Sequence, residues 1–288
     1  MKTPLRTQSG SPMTPDEVWG LYLREGRAGL ARRMPFLLSK AMAVEPQLFR
    51  ILPSDPRCVT CMVPFQGAVA KLMRLLGRGR SNLNPSICRQ CEDFATAHEA
   101  AAEVDITMVF ADIRGSTRLA ESMDATSFGR LINRFFQVTV DALVAERGLI
   151  EKLVGDEVAA FFVPGISGAD YTRRAIRAAQ EILRLTGHSG TDAPWAPVGI
   201  GVHSGPTLVG VVGNAQGVNQ ISVLGDAANT TSRLASEAQT GEIIISEAAV
   251  LSSGMDTQGL MPRELQLKGK QVLFKAWSLQ LEPEGAVR

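Results

Sequence analysis

Residues 106–117 read Ile-Thr-Met-Val-Phe-Ala-Asp112-Ile-Arg-Gly-Ser-Thr, and the reading of the fold starts there. An apolar, partly β-branched run from Ile106 to Ala111 ends abruptly in a carboxylate. Arg114, Gly115, Ser116 and Thr117 follow, and then a helical pattern begins. This order predicts a buried strand that carries Asp112 to its exposed end, with a small-residue turn beside it. Such a turn leaves backbone N–H groups free at a helix N-terminus, which suits phosphate. A second carboxylate, in Lys152-Leu-Val-Gly155-Asp156-Glu157, lies 44 residues after Asp112. Aspartates at the ends of neighbouring strands can hold two metal ions against a triphosphate.

Downstream of this stretch the pattern alternates between strand and helix. A strand at 104–112 leads to a helix over 117–146 that breaks near Asp124. Ile150–Val154 and Glu157–Val163 read as a hairpin through a Gly155-Asp156 turn. A helix over 168–186 has apolar residues at helical spacing: Tyr171, Ala175, Ile176, Ala179, Ile182 and Leu183. Val198–His203 and Thr207–Val212 are expected as two strands around a Ser204-Gly205-Pro206 turn. A strand at 221–224, a helix at 226–239, a strand at 243–245 and strands at 260–267 and 272–279 follow. The order implies α+β or α/β layering on one mixed sheet.

Upstream, residues 1–13 are polar and read as a disordered tail, not a secretory signal. Residues 15–50 read as helical, with Thr14 as N-cap and Pro15 at the first helical position. Pro35 and Pro46 are expected to break that helix. Residues 91–103 read as a helical connector. The expected layout is a tail at 1–13, a helical region at 14–100 and a larger domain at 101–288.

Cys58-Val-Thr-Cys61 and Cys88-Arg-Gln-Cys91 contain the only four cysteines in the chain. Two chelating pairs complete one tetrahedral all-thiolate site, with zinc the default metal and an iron–sulfur cluster the rival. Lys71, Arg74, Arg78 and Arg80 lie between the pairs and read as a solvated face.

Composition sets outer bounds. The chain has 288 residues, is 45% hydrophobic and 20% charged, and has a formal net charge of +1. Its size allows a sizeable core, and its charge gives no global case for nucleic acid or an acidic membrane surface. No apolar run reaches the ~18–20 residues of a membrane span. A cytoplasmic location with reduced cysteines is therefore expected. The three histidines are too scattered for a His-based zinc site. His203, in an apolar strand, reads as a packed residue, and Trp195 and Trp277 as core or interface.

Four blocks, taken in order, carry a resemblance. They are Phe110-Ala-Asp112-Ile-Arg-Gly-Ser-Thr117, Lys152-Leu-Val-Gly-Asp156, Val202-His203-Ser-Gly205 and Leu224-Gly-Asp226-Ala-Ala-Asn229-Thr-Thr-Ser-Arg233. Their order and spacing resemble the class III nucleotidyl cyclases over about 175 of 288 residues. The resemblance implies a ferredoxin-like, palm-like α+β catalytic domain behind a small helical four-cysteine domain. It implies that Asp112, Asp156 and the Ile113 carbonyl hold two Mg2+ or Mn2+ ions per site. Asn229 would orient the ribose, and Arg233 would stabilise the transition-state phosphate. Asn229 and Arg233 stand at i and i+4, hence on one helix face. Gly115, Ser116, Thr117 and Lys268 would contact the triphosphate, with Lys270 the fallback for Lys268.

Base selection points to ATP. Adenylate-selective members carry Lys four residues before the second metal Asp, and Lys152 matches. The partner position is Ser222, where many members have Asp and a bicarbonate-responsive subgroup often has Thr. A Ser hydroxyl can still accept a hydrogen bond from the adenine amino group. In the family the two half-sites come from two catalytic domains, so a head-to-tail homodimer is implied. The expectation is an adenylate cyclase that converts ATP to cyclic AMP and pyrophosphate. Guanylate or mixed specificity, a silent nucleotide-binding domain and a metal- or redox-sensing protein with a cyclase effector are the alternatives.

Overall fold

A computed structural model describes residues 5, 11–33, 44, 46–49, 51, 56–81, 84–96, 100–190, 192–213, 219–268 and 273–282. In chain order the elements are α1 (Pro15–Ala31), α2 (Gly67–Leu75), α3 (Arg89–Thr96), β1 (Ala101–Ile113), α4 (Ser116–Ser122) and α5 (Ala125–Ala145). Next come β2 (Leu149–Val154), β3 (Glu157–Phe162), α6 (Pro164–Ser167), α7 (Tyr171–Leu185), β4 (Val198–Gly213) and β5 (Asn219–Leu224). The chain continues through α8 (Asp226–Glu237), β6 (Glu242–Ser246), α9 (Glu247–Ser253), β7 (Met261–Leu265) and β8 (Phe274–Gln280). Two compact units divide these elements. One is Met1–Asp105, Val163–Ala169 and Pro206–Leu224; the other is Ile106–Phe162, Asp170–Gly205 and Gly225–Arg288.

The second unit holds the anchor strand. Ile106, Met108, Val109, Phe110 and Ala111 are all buried, so β1 is apolar on both faces. Burying each large side chain of this kind contributes about 1.5–3 kcal/mol. The sheet runs β2-β3-β1-β4-β6-β8-β7. β4 and β6 are parallel, with Ile200 opposite Ile243, whereas β1–β3, β2–β3, β6–β8 and β7–β8 are antiparallel. This is the expected mixed sheet flanked by helices. The break near Asp124 is present: the Asp124 carboxylate accepts from the Thr126 and Ser127 N–H groups at 3.0 Å, capping α5. Phe135 and Leu143 of α5 pack into the core with Phe161 and Ile182.

Two local expectations are corrected. The Ser204-Gly205-Pro206 turn does not form, and one continuous strand, β4, passes through it. Gly205 is not left-handed, and the Ser204 hydroxyl lies 2.8 Å from the Thr107 hydroxyl of β1, which holds this segment in the sheet. The connector helix is shorter than 91–103, because α3 ends at Thr96 and Ala101 already belongs to β1. Within α1 a further kink falls at Gly26, with φ 65° and ψ −158°. Pro35 and most of residues 1–13 lie outside the described residues. Two short helices, α6 and α9, add to the expected elements.

In the first unit, α1 begins as expected: Thr14 and Glu17 form a reciprocal capping box. The Trp19 indole N–H donates to the Val209 carbonyl at 2.9 Å, and Trp19 stacks on Tyr22. The kink at Gly26 has a steric cause. A Cβ there would fall 2.1 Å from the Gly165 carbonyl oxygen, and a Cβ on Gly165 would fall 2.1 Å from the Tyr22 carbonyl oxygen. The two glycines therefore let the backbones of α1 and α6 touch. Among the described residues, no helix is long and apolar enough to cross a membrane.

Replacing Gly165 with Ala should force α1 and α6 apart. The expected destabilisation is about 1–3 kcal/mol, read as a lower urea midpoint. An unchanged midpoint would show that this backbone contact does not govern packing in the first unit.

Candidate active site and cysteine cluster

The backbone ladder sets the carboxylate geometry. In the β1–β3 pairing Asp112 stands opposite Glu157, the residue after Asp156. The Ile113 N–H donates to the Asp156 carbonyl at 3.3 Å. Asp112 and Asp156 therefore meet at one end of two adjacent strands. Gly155 makes the tight turn with φ 62°, and nothing lies within 4 Å of a Cβ built on it. Gly115 is likewise left-handed, with φ 67°, in open space at the start of α4. Ser116 is half-buried and Thr117 exposed. Two carboxylates and a backbone carbonyl are hard oxygen donors, which fit Mg2+ or Mn2+. A cation already sits here: the Arg114 guanidinium pairs with Asp112.

Lys152 lies in β2 just past an irregularity in register, where Glu151 is the extra residue between Ile150 and Lys152. Its ammonium is 3.6 Å from a Glu157 carboxylate oxygen and 5.2 Å from the centre of the Phe110 ring. Burial raises the Glu157 pKa above the ordinary carboxylate value, and Lys152 pulls it back down. Arg114, Glu157 and Phe110 were not assigned from sequence. The hairpin alone puts Glu157 opposite Val154, and its place opposite Asp112 comes from the β1–β3 pairing.

α8 rests directly on β4, since a Cβ on Gly201 would fall 2.5 Å from the Thr231 carbonyl oxygen and the Ala235 nitrogen. Thr230, Thr231 and Leu234 are buried on that side. Asn229 is exposed and Arg233 half-buried. Among the described residues, neither hydrogen-bonds or ion-pairs with Asp112 or Asp156. Asp226 is a first-turn acid that accepts from the Thr230 hydroxyl at 3.3 Å. Lys268 is exposed beyond β7, and Lys270 lies outside the described residues. Ser222 belongs to the other unit, where it stands opposite Gly210 in the β4–β5 pair. His203 is packed as expected, sharing a 2.9 Å hydrogen bond with the Ser246 hydroxyl and meeting Phe274 edge to face.

In the first unit the four cysteines converge. Cys58, Cys61, Cys88 and Cys91 place their sulfurs within 4.8 Å of one another. The Cys58–Cys91 and Cys61–Cys88 sulfur separations are 3.8 and 3.6 Å. A single tetrahedral zinc ion with Zn–S bonds of about 2.3 Å needs sulfurs about 3.8 Å apart. The donor set therefore fits one four-coordinate metal ion. Backbone N–H groups of Cys61 and Cys88 point at the Cys58 sulfur, at 3.5 and 3.3 Å, and favour its thiolate form. Two turns build the cluster. In the first, Cys58 donates to Val63 and Met62 donates to Cys58, each at 2.9 Å; in the second, Ser81 donates to Ile87 at 3.0 Å. Met62 has φ 65°, a left-handed conformation that costs a side-chain-bearing residue about 1–2 kcal/mol.

Met62→Gly should relieve that strain and raise the urea midpoint by the equivalent of about 1 kcal/mol. A lower midpoint would mean that the methionine side chain contributes more than its backbone costs.

The family described as "Adenylate and Guanylate cyclase catalytic domain" matches residues 99–279. An adenylate cyclase of Anabaena cylindrica is 30% identical over 194 residues, which is 63% of this chain and 38% of that protein. The chain thus spans well under half the length of that relative. Among solved structures, the guanylyl cyclase Cya2 is similar with a TM-score of 0.55 and 25% identity, over 64% of this chain and 95% of that one. The adenylyl cyclase CyaB of P. aeruginosa has a TM-score of 0.54 at 24% identity, over 65% of this chain and 99% of its own.

Proposed function

This chain belongs to the adenylate and guanylate cyclase catalytic-domain family, and on that premise we propose that it is an adenylate cyclase acting as a head-to-tail homodimer. Asp112, Asp156 and the Ile113 carbonyl would hold two Mg2+ or Mn2+ ions. When bound, such ions lower the pKa of the ribose 3′-hydroxyl and neutralise the triphosphate. The remaining work falls to side chains. Asn229 orients the ribose, and Arg233 donates to the charge that develops on the α-phosphate as pyrophosphate leaves. Gly115, Ser116, Thr117 and Lys268 hold the triphosphate. Lys152 donates to a ring nitrogen of adenine, with Ser222 its partner by resemblance.

The observation that carries this reading is that the two sets of residues do not bond to each other within one chain. Asp112 and Asp156 share one sheet end, whereas Asn229 and Arg233 sit on one helix face without a bond to either. A second copy of the chain supplies what each half lacks. Lys152 supports ATP over GTP, although in the isolated chain it is engaged with Glu157.

The four-cysteine cluster is proposed to bind one zinc ion and to serve as a regulatory input to the cyclase. Sulfur spacing supports this over a polynuclear iron cluster, which would spread its thiolates over several irons.

Incubation with Mn-ATP and Mn-GTP should yield mainly cyclic AMP. Asp112→Ala should lower kcat by at least about a hundredfold, the scale of several kcal/mol of lost charge stabilisation. Absence of either product, or a fully active variant, rejects the enzyme reading; equal use of both nucleotides rejects the selectivity. Lys152→Glu with Ser222→Cys should abolish the ATP preference, and unchanged selectivity would refute their roles. The full chain purified without air should be colourless with one zinc per chain, and a chelator should lower its melting temperature. A brown protein rich in iron would replace zinc with a cluster.

A further inference from the structure

Arg114 stands two residues after Asp112, and its surroundings are specific. Its guanidinium pairs with Asp112, where the two side chains are 19% and 26% exposed. The second terminal nitrogen donates to the Ser236 carbonyl at 3.2 Å, near the end of α8. Its backbone N–H donates to the Pro197 carbonyl at 2.6 Å. The side chain crosses Gly199, where a Cβ would come within 3.1 Å of its Cδ and Nε. Nε is buried without an acceptor among the described residues. Burial lowers the Arg114 pKa from its usual value, opposed by the nearby carboxylates of Asp156 and Glu157. Asp112 therefore has a guanidinium as its counter-ion where the metal ions are expected.

Two consequences follow from charge and connectivity. A divalent ion at Asp112 has to displace Arg114 or bind beside a like charge, and either weakens the ion's binding. Displacement has somewhere to go, because Arg114 borders a cavity of about 400 Å³ shared with Arg118, Leu119 and Thr240. Its other anchor is the last turn of the helix that carries Asn229 and Arg233.

We propose that Arg114 is a positioning residue that acts as the resident counter-ion of Asp112: metal competes with it, and its displacement is passed to the end of α8 through the Ser236 carbonyl. This rests on the metal-site reading given under Proposed function. In the homodimer, α8 serves the opposite site, so loading one site with metal would bias the helix that completes the other. The coupling is reciprocal by thermodynamic necessity.

The sign of one measurement tests the competition. Mn2+ binding to the zinc-loaded full chain, without nucleotide, is followed by electron paramagnetic resonance of the free ion. Arg114→Gln should bind Mn2+ about fivefold more tightly or better, the lower end of ordinary coupling. A residue that merely supported the ligands would give the opposite, a loss of about 10–100-fold. Equal or weaker binding by Arg114→Gln therefore overturns the competition. Arg114→Lys keeps the charge and should bind Mn2+ within about twofold of the parent, under a factor that ordinary coupling exceeds; affinity matching the Gln variant also overturns it. Amide hydrogen exchange at residues 234–238 should change on Mn2+ addition in the parent and not in Arg114→Gln. No change in the parent, or the same change in both, overturns the transmission. Asp112→Ala separates the two readings: if it binds Mn2+ as the parent does, the metal site itself is wrongly placed.

Discussion

The β1–β3 ladder is the constraint on which the rest depends. Two aspartates of like charge gain nothing from meeting, and they meet because backbone hydrogen bonds leave them no choice. Thr107 to Asp112 pair in unbroken register with Phe162 to Glu157. A slip of one residue would turn every side chain of β1 to the other face. It would also expose Phe110, which is buried and lies beneath the Lys152 ammonium. Apolar burial along β1 and β3 thus stabilises a carboxylate arrangement that electrostatics alone opposes. The β2–β3 pairing sets Lys152 near Glu157, and Arg114 balances Asp112.

The first unit is governed by a different economy. Its tight contacts are made by backbone and sulfur, with glycines facing each other between α1 and α6 and four thiols around one point. Leu72, Leu75 and Leu76, on or beside α2, are exposed, so this helix buries only Ala70. A segment of this size with a small core ordinarily needs a metal to hold it. The strained Met62 fits that view, because a local cost in a turn persists when its surroundings determine the turn.

Much of the site could be read in order along the chain. The strand ending at Asp112, the Gly155 turn, the break near Asp124, and the i, i+4 pair on α8 are local patterns, set by burial, turn chemistry and helical period. The cysteine pairs were legible for the same reason, because two chelating turns announce themselves by spacing. Departures came where a distant contact overrode a local signal. Ser204-Gly205-Pro206 looks like a turn, but the Ser204 hydroxyl is held to Thr107, nearly a hundred residues away in sequence. Gly26 admits the kink in α1 and, by lacking a Cβ, leaves room for the Gly165 carbonyl, a contact that the sequence around Gly26 does not announce.

By itself, the sequence determined which residues are chemically capable: the two aspartates, the asparagine and arginine on one helix face, the lysine, and the four thiols. It did so because those signals are short-range and survive without knowledge of the fold. Tertiary structure alone decided which charges face one another. Glu157 on Lys152 and the Arg114 bond to Ser236 join elements that become neighbours only through strand pairing and the seating of α8 on β4, whereas Arg114 on Asp112 is a contact between residues two apart. Charge acts through space, and in this chain the distances that matter are set by packing, not by sequence separation.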